Sequence, residues 1–96
     1  MREKLAKNLF NIITKSLGVL QENGVFAFYV YLKSEKEKTI EKETINLLNK
    51  VFDKNMNCKL KDIREFTNNI NTLLFAKSLI EKTLIYARYQ AKSMSD

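Results

Sequence analysis

The sequence predicts an all-α fold, a compact single-domain helical bundle of four to five helices covering residues 1–96. Three observations predict it. Proline is absent and only Gly18 and Gly24 are glycine, so the punctuation that usually separates short strands is missing. Apolar residues recur at three- and four-residue spacing through most of the chain, and no segment alternates with the period of two expected of a half-buried strand. A 45% hydrophobic share with 29% charged residues supports one core and excludes wholesale disorder.

The first helix is read from Leu5, Leu9, Ile12, Ile13, Leu17 and Leu20, which gather on one half of a helical wheel. It is expected to end near Glu22, because Asn23-Gly24 tolerates the left-handed conformation that closes many helices. The run "VFAFYVYL" that follows has high β propensity, and a short apolar run cannot be told from a buried helix by periodicity. Context favours helix from Val25 to Lys33, since a lone strand would bury unpaired backbone groups. Every face of that helix is apolar, which makes it the hub of the fold, surrounded by other helices or by another subunit. Ser34 followed by Glu37 suggests a capping box, and Ile40, Thr44, Leu47, Leu48, Val51 and Phe52 continue a third helix. "DKNMNCKL", from Asp53 to Leu60, reads as the main loop. Leu60, Ile63, Phe66 and Ile70 resume a helical stripe, which passes with a kink near Asn69 into a last helix reaching about Lys92, and "SMSD" is expected to fray.

The chain is poor in catalytic material. It has no histidine, the commonest proton shuttle near neutral pH, and its single Cys58 has no imidazole partner. No glycine-rich phosphate loop exists, and the acids of "SEKEKTIEKE" alternate with lysines like a solvated helix start. The expectation is a non-enzyme with no cofactor, no metal site, no internal disulfide and no small-molecule substrate. No apolar run approaches the roughly 18 residues of a membrane span, and the amino terminus mixes acid with base, so the expected location is cytoplasmic.

The charge balance is more informative, with 17 basic against 11 acidic residues and a formal charge of +6. Nucleic acid leads the anionic partners this favours. The competing explanation is a coding sequence rich in A and T, which would enrich Lys, Asn and Ile together. On the first helix Lys4, Lys7, Asn8, Asn11 and Lys15 occupy the half opposite the apolar face, with Glu22 diluting its far end. On the last helix Lys77, Glu81, Arg88 and Lys92 fall within about 60°, and only that sliver, plus Lys82, looks wet. Both stripes can also be ordinary solvent faces, Lys77 and Glu81 then being a simple i,i+4 pair. Tyr86 and Tyr89 are candidate stacking residues, whereas Phe26, Phe28, Tyr29 and Tyr31 are better suited to packing. The pattern suggests backbone contact without sequence reading, weakening steeply as salt rises.

"LGVLQENGVFAFYVYLKSEKEK", residues 17–38, resembles the small subunit of the type III-B (Cmr) CRISPR effector complex. That family has a leucine-rich helix, a polar-Asn-Gly turn and an apolar helix closing in Leu-Lys-Ser, matched here by Leu20, Gln21, Asn23, Gly24, Phe28, Leu32, Lys33 and Ser34. The closing segment, residues 73–91, is similar to the family's leucine-rich last helix, with Arg88-Tyr89 as its basic-aromatic pair. The likeness covers the start and end of the chain well and residues 35–72 only loosely. It implies a non-catalytic helical subunit of the antiviral complex, present in several stacked copies beside the other subunits, helping hold target RNA against guide RNA. Lys4, Lys7, Lys15, Lys77, Arg88 and Lys92 would then be its RNA contacts. The small subunit of the type III-A complex is a related alternative. A reading of another class is a protein-interaction module that dimerises through the apolar second helix, its basic faces merely solvated.

Overall fold

The computed structural model describes the backbone of residues 2–95 and the side chains of residues 7–94. Within them the chain forms four helices and no strand: α1 (Arg2–Ser34), α2 (Lys38–Phe52), α3 (Leu60–Phe66) and α4 (Ile70–Ser95). The all-α bundle expected from the sequence is the observed architecture.

α1 is two helices in sequence, because Gly24 interrupts it with φ 90° and ψ −177°, a conformation essentially reserved for glycine. The expected break after Glu22 is therefore present, as is the helix from Val25. On that second arm, residues 25–34, Val25, Phe28, Tyr29 and Leu32 are buried to 1% exposure or less. The opposite half is only partly covered: Arg64 of α3 lies 5.1 Å over the Phe26 ring, and Val30 stays 41% exposed. The helix is a hub on one half rather than on every side.

The expected capping box does not form. Ser34 Oγ donates to the Tyr31 carbonyl 2.9 Å away, and Glu37, the residue before α2, makes no side-chain cap bond. Instead α1 closes on Lys36 at φ 56°, with Glu37 N–H donating to Leu32 O at 2.9 Å and Lys36 N–H to Lys33 O at 3.2 Å. This is the paired bond pattern of a Schellman stop, which moves the N-cap position of α2 three residues on, from Ser34 to Glu37. α2 ends in a similar way on Asp53 at φ 54°, and Lys54 N–H donates to Asn49 O at 2.9 Å.

The loop from Asp53 is held by Asn49, whose Nδ2 donates to Met56 O at 2.9 Å while Met56 N–H donates to Asn49 Oδ1 at 2.8 Å. Beyond α3 the expected kink is a full break. Asn69 Oδ1 accepts from the N–H groups of Asn71 at 2.9 Å and Thr72 at 3.2 Å, an N-cap that starts α4 afresh and leaves Ile70 64% exposed instead of on the apolar stripe. Phe52 joins the three helix ends, its ring meeting Phe66 at 4.9 Å and Phe75 at 5.4 Å, both edge to face.

The core runs through Ile13, Leu17 and Leu20 of the first arm, the inner half of the second, Ile45 and Leu48 of α2, Ile63 of α3, and Ala76, Ile80 and Leu84 of α4. α1 and α4 make the most extensive helix pair. No helix among the described residues is long and apolar enough to cross a membrane.

Candidate nucleic-acid interface

Formal charge is unevenly distributed over these elements. Residues 35–65, which hold α2, α3 and their loops, contain eight basic and seven acidic residues, whereas the rest of the chain contains nine basic and four acidic. The excess positive charge therefore belongs to α1 and α4. No acid occurs between Glu3 and Glu22, or between Glu81 and Asp96.

On the first arm of α1 the polar half is open to solvent as its wheel requires, with Lys7, Asn8, Asn11 and Lys15 all exposed. Lys4 lies outside the described side chains. Glu22 is exposed at the far end of the same face. Burial of Ile13, Ser16, Leu17 and Leu20 on the opposite half fixes this orientation, and Ser16 satisfies its buried hydroxyl by donating to Ile12 O at 2.8 Å.

The ridge on α4 is placed differently from expectation. Lys77, Glu81 and Arg88 are half-buried rather than wet, and only Lys92 of the four is exposed. Lys77 Nζ donates to the Gln21 carbonyl of α1 at 3.3 Å, and Gln21 Nε2 donates to Glu81 Oε1 at 3.4 Å. This sector borders α1 at Lys77 and Glu81, and Arg88 farther along it is half-buried. Lys77 is thus partly committed to holding α4 against α1.

The most open face of α4 is another one. Phe75, Lys82, Tyr86, Tyr89 and Ser93 fall within about 60° of one another at 100° per residue. All five are exposed, Tyr86 by 72% and Tyr89 by 65%, and the buried Ala76, Ile80, Leu84 and Ala91 lie opposite. α2 and α3 pack mainly on α1, and α2 reaches this flank of α4 at Phe75, whose ring meets Phe52. An open groove of about 660 Å³ is lined by Tyr86, Tyr89, Gln90, Ser93 and Met94. Tyr86 and Tyr89 are the two candidate stacking residues of the sequence; the nearly all-apolar wheel of α4 hid the rest of this face, for which the amide of Gln90 and the hydroxyl of Ser93 are the signal that it meets water.

Away from these surfaces, Lys33 links three segments: its Nζ lies 3.0 Å from Glu41 Oε2 and donates a hydrogen bond to the Cys58 carbonyl. Oε2 consequently has a charge partner but no hydrogen bond of its own. Burial, followed by the Glu41 carboxylate, pushes the Cys58 thiol above its ordinary value, so the nucleophilic thiolate is scarce at neutral pH. No group of three acids or cysteines suited to a metal ion converges among the described residues.

No family model matches the chain, and no curated protein or solved structure matches it.

Proposed function

We propose that this chain is a non-catalytic, RNA-contacting subunit of a type III-B (Cmr) CRISPR effector complex, touching target RNA through its phosphates without reading sequence. The observation that carries the reading is the exposed row Lys7, Asn8, Asn11 and Lys15 on an acid-free stretch of α1, a helix that carries half of the net charge of +6. Ammonium and amide donors on one helix face can follow a phosphate backbone, and phosphate contacts carry no sequence information of their own. The helical architecture and the Asn23-Gly24 break agree with the resemblance of residues 17–38 to that family.

The dimerisation reading has less support. Half of the second arm is consumed by the chain's own core, and Arg64 overlies Phe26 on the other half.

Two measurements test the proposal. Co-expression with the large type III-B subunits and guide RNA should bring the protein into the RNA-bearing particle; exclusion from that particle would remove the family assignment. RNA binding measured against salt should lose about one unit of slope for each true phosphate contact removed, with Lys7→Ala and Lys15→Ala first. An unchanged slope across Lys4, Lys7, Lys15, Lys77, Arg88 and Lys92 would remove the RNA role.

A further inference from the structure

Other aromatic residues pair with one another: Phe28 with Tyr29 at 5.0 Å in the core, and Phe52 with Phe66 and with the exposed Phe75. Tyr86 and Tyr89 do not. They are the most exposed of the large hydrophobic residues, and neither makes a hydrogen bond or ring contact with another described residue. Three residues apart on one helix, they stand side by side about 4.5 Å apart along its axis. Gln90, Ser93 and Met94 complete the groove, which is open along its side rather than enclosed.

From the geometry and charge of this face, we propose that Tyr86 and Tyr89 form a stacking platform for unpaired bases of single-stranded RNA. Gln90 and Ser93 face the base edges, and Lys82, on the same face, meets a flanking phosphate. The proposal rests on the RNA-contacting reading above and gives it a second, chemically distinct site.

Charge selects the occupant. Residues 82–94 carry Lys82, Arg88 and Lys92 and no acid, so the tyrosines sit in a positive field that favours a polyanion. A second copy docking by the same face would bring its own cations against these, as a two-fold contact requires, and would be repelled. An open groove also suits a chain passing across it better than a small molecule, which needs enclosure on most sides. Base faces stack on aromatic rings whatever their identity, so the platform retains the sequence indifference expected of the α1 row. It adds a preference for single strands, because a duplex keeps its base faces covered.

The test uses fluorescence anisotropy of a short labelled oligouridine RNA at low and moderate salt, with the full chain and three double variants. Tyr86→Ala with Tyr89→Ala should weaken binding about tenfold or more at both salts while leaving the salt slope unchanged, since no phosphate contact is lost. Tyr86→Phe with Tyr89→Phe should bind like the parent, because the ring face is kept. Lys7→Ala with Lys15→Ala should lower the slope instead. If the parent binds RNA and the alanine pair binds equally well, the platform is overturned and the RNA reading survives. No RNA binding by the parent overturns both. Loss in the phenylalanine pair equal to that in the alanine pair would overturn stacking in favour of the hydroxyls. If sedimentation instead shows the alanine pair losing self-association with RNA affinity intact, the occupant is a second copy and the proposal fails.

Discussion

The phenol of Tyr29 donates to Thr44 Oγ1 across 2.9 Å inside the protein, and the Thr44 hydroxyl in turn lies 2.8 Å from the Ile40 carbonyl. One buried bond thus ties the second arm of α1 to α2 at the point where an aromatic residue would otherwise bury an unpaired hydroxyl. The two ends of that bond are unequal. Thr44 can still donate to the carbonyls of its own helix without Tyr29, whereas the phenol makes no second hydrogen bond among the described residues.

Thr44→Val should therefore cost more stability than Tyr29→Phe. The first strands a buried donor, at about 1–3 kcal/mol; the second removes that donor, at about 0.5–1.5 kcal/mol. Urea unfolding of both variants checks the order, and the double variant should be close to Tyr29→Phe alone. A larger loss for Tyr29→Phe would mean that the bond is not what Thr44 is there to make.

Burial also pushes the Tyr29 phenol above its ordinary value of 10.0, outweighing the opposing effect of the Thr44 hydrogen bond. The fold therefore favours the protonated form. Below pH 10 both folded and unfolded chains keep this proton, so the contribution is fully present; as pH rises past 10 the unfolded chain releases it first and stability declines. The decline attributable to this one group is at most about 1.4 kcal/mol per pH unit. Comparing the parent with Tyr29→Phe from neutral pH to beyond pH 10 isolates it, because the other phenols and the lysines are common to both. The variant should show the shallower alkaline fall.

Gly24 and Gly18 should respond to alanine in opposite directions. A Cβ would meet nothing within 4 Å at either site, so crowding cannot separate them and backbone conformation must. Gly24 holds φ 90°, which an L side chain resists, and Gly24→Ala should cost about 1–3 kcal/mol. Gly18 lies within helical backbone, where alanine should add about 0.5–1 kcal/mol. Thermal melts suffice to read the signs. Equal effects would indicate that the α1 break can straighten without loss.

Much of this architecture is legible in the sequence because it depends on local order. The stripe Ile13, Leu17, Leu20 fixes which half of the first arm is buried, and Asn23-Gly24 supplies the break that turns the chain into its hub. The helix ends are less legible where a non-glycine residue adopts the left-handed conformation. Lys36 and Asp53 do so under the pull of bonds to Leu32, Lys33 and Asn49, and nothing in their side chains announces it. The face of α4 is a third case. A helix apolar on most of its circumference does not state which side lacks a neighbour, so the sequence pointed to Lys77 and Arg88 as the wet side. Packing against α1 left Tyr86 and Tyr89 there instead.

The link between Lys33 and Glu41 should be asymmetric in the same physical sense as the tyrosine bond. The Glu41 side chain is 11% exposed and that of Lys33 33%, so the carboxylate depends on its partner while the ammonium retains access to water. Lys33→Met leaves a buried charge uncompensated and also frees the Cys58 carbonyl, at about 3 kcal/mol, the low end for a broken buried pair. Glu41→Gln leaves an ammonium that can still bond Cys58 and reach solvent, at about 1 kcal/mol. Combining the two should recover part of the Lys33→Met loss, because no uncompensated charge then remains inside. Urea titration of the three variants measures this directly; strictly additive losses would mean that the ion pair contributes nothing and that Lys33 acts only through the loop carbonyl.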